Sequence, residues 1–111
     1  MIFHICSRSA WERAQETGRY EGSELDRKDG FLHFSTAEQA RDSAARHLRG
    51  VEGLVLVCVE PESLGDALKW EKSRRGMLFP HLYGALPTDA ATAVYDLPVG
   101  SDGLHSFPPF I

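Results

Sequence analysis

Three histidines of this chain, His4, His33 and His81, stand inside short apolar runs: Ile2 to Cys6, Phe31 to Ser35 and Met77 to Tyr83. An imidazole titrates near neutrality, so on a strand face it can hold a ligand hydroxyl or carbonyl, or move a proton. Each also has a plain structural reading, because a lone histidine in a strand is commonly a hydrogen-bonded packing residue. Three on separate strands could line one polar pocket. Alternation along an extended run puts Phe31, His33 and Ser35 on one face and Leu32 and Phe34 on the other. Pro80 and Gly84 frame His81 and would present it with Tyr83 from one face. Lys69-Trp70-Glu71 adds a carboxylate, which could serve as a general base, hold a ribose hydroxyl, or simply pair with Lys69, Lys72 or an arginine. His47 and His105 read as surface residues, and Trp11 and Trp70 as core or pocket walls.

Other chemistries fit less well. Three histidines would suit a catalytic zinc, but none forms a local HxH or HxxxH pair, so no metal is expected. Cys6 and Cys58 fall in apolar runs without a CxxC spacing and read as reduced, buried thiols rather than nucleophiles. Twelve basic and sixteen acidic residues leave a net charge of -4, without the basic footprint of a bulk nucleic-acid binder. Lys72, Arg74 and Arg75, beside Lys69, could still hold one phosphorylated ligand, or form a solvated loop. The start of the chain lacks the pattern of a signal peptide and no segment is long enough to span a bilayer, so a cytoplasmic location is the default expectation.

The elements that must position these residues follow from pattern. The 111 residues, 42% hydrophobic and 25% charged, suit one domain over 1–111 with one core. Ile2 to Cys6 predicts a strand. Ser9 with Glu12 makes a capping box for a first helix carrying Trp11 and Ala14, stopped at Gly18. Arg19 to Gly30 reads as a long polar loop that could act as a lid. Phe31 to Ser35 predicts a strand, and Ser35 to Leu48 a helix capped by Ser35/Glu38 or Thr36/Gln39. Leu54 to Val59 predicts a strand buried on both faces, at the centre of the sheet. Pro61 to Leu68 reads as a turn or short helical segment, Lys69 to Glu71 as a brief strand and Ser73 to Gly76 as a basic turn. In Met77 to Tyr83, Pro80 predicts an edge strand or bulge. Thr92 to Leu97 is the last strand, followed by a tail whose Phe107, Phe110 and Ile111 could pack back. The result is an α+β domain with five to six short strands and two helices in its first half.

The ordered set His4, Trp11, Gly30-Phe31-Leu32-His33-Phe34-Ser35-Thr36, Lys69-Trp70-Glu71 and Phe79-Pro80-His81-Leu82-Tyr83-Gly84 strongly resembles domain-of-unknown-function family 952, over residues 2 to about 97. That family has been grouped by fold with the ADP-ribosyltransferases. The resemblance implies a compact split sheet binding NAD, ADP-ribose or a related phosphorylated nucleotide, with NAD as a substrate. It also implies that His4 binds the nicotinamide-side ribose and that His33, Ser35 and Thr36 form the second contact motif. The later-strand glutamate of that superfamily has no clear counterpart, Tyr95-Asp96 being the acidic candidate in the last strands. The candidate catalytic residues are His33, Glu71 and His81, and the candidate ligand contacts His4, Ser35, Thr36 and Tyr83. The implied activity is transfer of an ADP-ribosyl or related glycosyl group. The alternatives are a non-catalytic module that binds a small ligand or partner through His33, His81 and Tyr83, and a metal-dependent hydrolase.

Overall fold

The computed structural model describes residues 1–111, the side chain of Arg74 excepted. In chain order the elements are β1 (Ile2–Ser7), α1 (Arg8–Thr17), β2 (Arg19–Tyr20), α2 (Glu24–Asp29), β3 (Leu32–His33), α3 (Ala37–His47), β4 (Leu54–Val59), β5 (Leu68–Lys72), β6 (Leu78–Leu82), β7 (Leu86–Pro87) and β8 (Ala91–Leu97). They form three small antiparallel sheets, in the orders β1-β4-β8, β2-β7 and β3-β6-β5. The architecture is therefore α+β. Among the described residues no helix is long and apolar enough to cross a membrane.

β4 is the central strand its apolar run predicts, and its two faces serve two separate parts of the core. Val55, Val57 and Val59 pack with Ile2, Trp11, Phe34, Leu82 and Leu86, whereas Leu54, Leu56 and Cys58 pack with Phe3 and Leu97. β1 divides in the same way, Ile2 and Cys6 facing the first cluster and Phe3 the second. His4 lies between Ile2 and Cys6, so strand parity turns it into the first cluster. Of the tail, Phe107 and Ile111 pack on the second cluster, but Phe110 is largely exposed.

Four local expectations are corrected. The first helix is capped by Ser7, whose Oγ accepts from the Ala10 N–H at 3.1 Å, and not by Ser9, because β1 runs straight into α1. The segment 19–30 is no lid-like loop. It contains β2 and α2, the latter begun by a Ser23/Asp26 capping box, and a six-residue polar helix is too short to show an apolar stripe. The strand read over Phe31 to Ser35 is regular only at Leu32–His33, since Phe34 N–H donates to the Pro80 carbonyl while Ser35 exchanges two backbone hydrogen bonds with Phe3, both 2.8 Å.

Pro80 supplies the fourth correction, for β6 is the middle strand of its sheet rather than an edge. A strand residue directs its N–H and C=O to the same side. The Pro80 carbonyl faces Phe34, beyond the last ladder pair His33↔His81, so its missing N–H falls outside the β3 ladder and leaves β5 intact.

Gly22 joins β2 to α2 at φ 97, where a Cβ would stand 2.5 Å from Leu32 Cδ2 and 2.7 Å from Asp26 Cβ. Gly22→Ala should therefore cost about 1–3 kcal/mol from overpacking, in addition to backbone strain. Urea denaturation would measure it, and a wild-type midpoint would contradict this packing.

Candidate functional site

The site begins where two sheets fail to merge. Phe3 and Ser35 form one antiparallel bridge between β1 and the chain leaving β3. Continued in register, Ile5 would pair with His33. Instead the His33 carbonyl accepts from His4 Nδ1 at 2.7 Å, and the His33 N–H donates to Asp26 Oδ1 at 3.1 Å. Two side chains take the places of a neighbouring strand. Ile5 faces the same way as Phe3, and among the described residues its N–H and C=O have no backbone partner.

A cavity of about 750 Å3 opens at this split, lined by His4, His33, His81, Ser35 and Ile5 among others. The three histidine-bearing strands thus converge, and Ser35 joins them. Thr36 does not line the cavity but begins α3, its N–H donating to Gln39 Oε1 at 3.0 Å. Glu71 and Tyr83 reach the site through His81: Glu71 Oε1 accepts from His81 Nδ1 at 2.8 Å and from the Tyr83 hydroxyl at 2.7 Å. Phe31 stacks on the His81 ring with centroids 4.0 Å apart, and touches the rings of His33 and Tyr83.

His4 is buried and neutral. Burial lowers its pKa, against the pull of Asp26. Its Nδ1 must carry the proton given to the His33 carbonyl, so Nε2 accepts from the Tyr20 hydroxyl at 2.9 Å. Burial raises the pKa of Tyr20, which keeps that hydroxyl a donor.

His33 is in the opposite state. Its Nδ1 lies 2.5 Å from Asp26 Oδ1 and its Nε2 2.9 Å from Asp29 Oδ2, so both nitrogens donate and the ring is an imidazolium. The hydrogen bond to Asp26 is the main cause of its raised pKa, with Asp29 adding to it. Asp26 is itself 3% exposed, and burial alone would raise its pKa. The His33 ring and the N–H groups of Ser23 and His33 outweigh that and hold its carboxyl well below the usual range.

Glu71 is half-exposed and is likewise held low, first by His81 and then by Tyr83, whose own pKa rises in response. With Nδ1–H given to Glu71, a neutral His81 keeps a lone pair at Nε2.

The remaining sequence candidates lie elsewhere. Asp96 is exposed and pairs with Arg8. Lys69, Lys72 and Arg75 are exposed, and the side chain of Arg74 lies outside the described residues. Trp11 is a core residue, but Trp70 is 45% exposed and walls no pocket among those described. Cys6 and Cys58 are free and buried, the Cys6 thiol pushed up to about 12 by burial. His47 is exposed yet borders the cavity, and His105 donates to the Val51 carbonyl. Among the described residues no group of three His, Cys, Asp or Glu side chains is placed to hold a metal ion. Reading the sequence missed Tyr20, Asp26 and Asp29. The Ser23-x-x-Asp26 capping signature was the available signal for α2, and with it for Asp26.

Residues 5–94 match the model of a family described as a protein of unknown function (DUF952). The crystal structure of protein CC0527 from Caulobacter crescentus is similar, at 48% identity over 95% of this chain and 92% of that one, with a TM-score of 0.92. The solution NMR structure of the same protein gives 48% identity, 93% and 89% coverage and a TM-score of 0.84. No curated protein matches the chain.

The His33–Asp26 pair makes stability depend on pH in two directions. His33 has a raised folded pKa, so its contribution is full below the ordinary value of 6.5 and is lost as pH rises through the folded value. Asp26 has a lowered one, so its contribution is present above the ordinary 3.8 and is lost as pH falls. Asp26→Asn should cost about 2 kcal/mol and return the His33 titration, followed by imidazole NMR, toward 6.5. A His33 titration unmoved by the substitution would contradict the assignment.

Proposed function

The chain belongs to the DUF952 family of proteins of unknown function, and on that footing we propose that its cavity binds NAD, ADP-ribose or a related phosphorylated nucleotide. The observation that carries this reading is the open backbone of Ile5 at the split. A strand residue offers an N–H and a C=O side by side, and a primary carboxamide such as that of nicotinamide complements both. A cavity of about 750 Å3 is of the size that holds such ligands. The interruption between β1 and β3 agrees with the split sheet of an ADP-ribosyltransferase-like arrangement.

In this reading His4 orients the His33 strand, Ser35 and His81 contact the ligand, and Phe31 and Tyr83 hold the His81 ring in place. Glu71 holds His81 with Nε2 free to take a proton. If the domain transfers a glycosyl group, the bond from ribose to base breaks and a hydroxyl oxygen forms the new one. His81 would accept that hydroxyl's proton. His33, committed as a cation to two carboxylates, would act by its charge.

A binding module without chemistry is the second reading. It is favoured by the engagement of both ring nitrogens of His4 and both of His33, which leaves neither of these two rings a nitrogen with which to accept a proton.

Calorimetry with nicotinamide and nicotinate should show binding of the amide and not of the acid, because the acid lacks a donor for the Ile5 carbonyl. NAD should bind, and His81→Ala should weaken it about tenfold, the worth of one lost contact. No binding of NAD, ADP-ribose or nicotinamide at millimolar concentration would defeat the nucleotide reading. Labelled NAD incubated with cell extract then separates the two readings: nicotinamide release that disappears in His81→Ala marks an enzyme, and binding without turnover marks the module.

A further inference from the structure

A second cavity, of about 400 Å3, lies against β2 and α2. Asp26 borders both, and Phe31, whose ring stacks on His81, forms part of the wall of the smaller one. Arg19 from β2 and Arg27 from α2 both line this hollow. Neither guanidinium makes an ion pair or side-chain hydrogen bond among the described residues. Some other arginines do, Arg8 with Asp96, Arg46 with Asp42 and Arg41 with the Pro108 and Ile111 carbonyls, whereas Arg13 and Arg75 likewise show none but do not line the hollow.

Arg19 and Arg27 come from different elements and line one hollow, and like charges brought to one place favour an anion between them. The acidic groups there do not supply it. Asp26 is already bonded to His33 and Ser23, and Glu21, which also borders the cavity, pairs with neither arginine among the described residues. The lining includes the backbone at Gly84, where φ is 142 and an added Cβ would meet nothing within 4 Å. A ligand can therefore approach the main chain closely, and the guanidinium fork suits phosphate oxygens.

We infer that the Arg19/Arg27 hollow is an anion subsite that takes the diphosphate of the ligand whose other end enters the large cavity. This rests on the nucleotide reading and deepens it. It moves the phosphate contact from the basic turn at Lys72 and Arg75, which the charge pattern singled out, to two arginines that the pattern did not.

Inorganic pyrophosphate is the probe, titrated by calorimetry into wild type, Arg19→Ala, Arg27→Ala, the double variant and Arg75→Ala. Pyrophosphate should bind wild type in a salt-sensitive way, each of the first two substitutions should weaken it about tenfold, and Arg75→Ala should leave it near wild type. Thermal melts should be unchanged, since both arginines are exposed. Equal affinity in the double variant, loss only in Arg75→Ala, or no binding to wild type would overturn the subsite. The nucleotide reading fails separately: pyrophosphate bound at Arg19 and Arg27 without any binding of NAD or ADP-ribose would leave the anion subsite standing and remove its proposed ligand. NAD binding unaffected by the double variant would do the reverse.

Discussion

The backbone of His33 is the point on which the rest of the arrangement turns. Its N–H and C=O point toward β1, where a continuous ladder would offer Ile5, and both are taken by side chains instead. A buried backbone group must find a partner, and once Asp26 and His4 have supplied one, the strands have no further reason to close. The sheet opens one step beyond the Phe3–Ser35 bridge, and α3 begins at Ala37 immediately after it. The cavity is thus a consequence of side chains competing with a strand for hydrogen bonds.

That competition requires a carboxylate in an apolar setting. Asp26 is buried beside the first core cluster, and an ion there is tolerated only with its oxygens fully engaged. Oδ2 accepts from the Ser23 N–H and hydroxyl at 2.8 and 2.9 Å, and Oδ1 accepts from the His33 ring and N–H. The same bonds cap α2 and fix β3, so one residue ties helix, strand and site together. Gly22 shows how tight the joint is, because no side chain fits between Leu32 and Asp26 there.

Much of the frame was legible in the sequence. The run Leu54–Val59 marks the central strand, and period-two alternation correctly sets His33 and Phe31 apart from Leu32 and Phe34, which pack in the core. Parity likewise brings His81 and Tyr83 to one carboxylate. What alternation cannot reveal is partnership across the chain. Asp26 lies in a polar stretch with no apolar period, and its importance comes from His33 and His4, seven and twenty-two positions away. Tyr20 carries no local sign of its role, because its hydroxyl partner is on another strand. Pro80 misled because its effect depends on which side of β6 lacks a ladder partner, a tertiary fact.

The three histidines look alike in sequence and are given three different sets of partners by their surroundings. His4 is desolvated with a carbonyl and a hydroxyl as partners, which favours the neutral ring. His33 faces two carboxylates, which favours the cation. Neither has a nitrogen left to exchange a proton with a ligand. His81 alone combines one nitrogen oriented by a carboxylate with a second not used by Glu71, the arrangement in which an imidazole can move a proton. His4 and His33 can shape and charge the cavity whether or not anything reacts there, so of the three strand histidines it is His81 that is placed to take a proton.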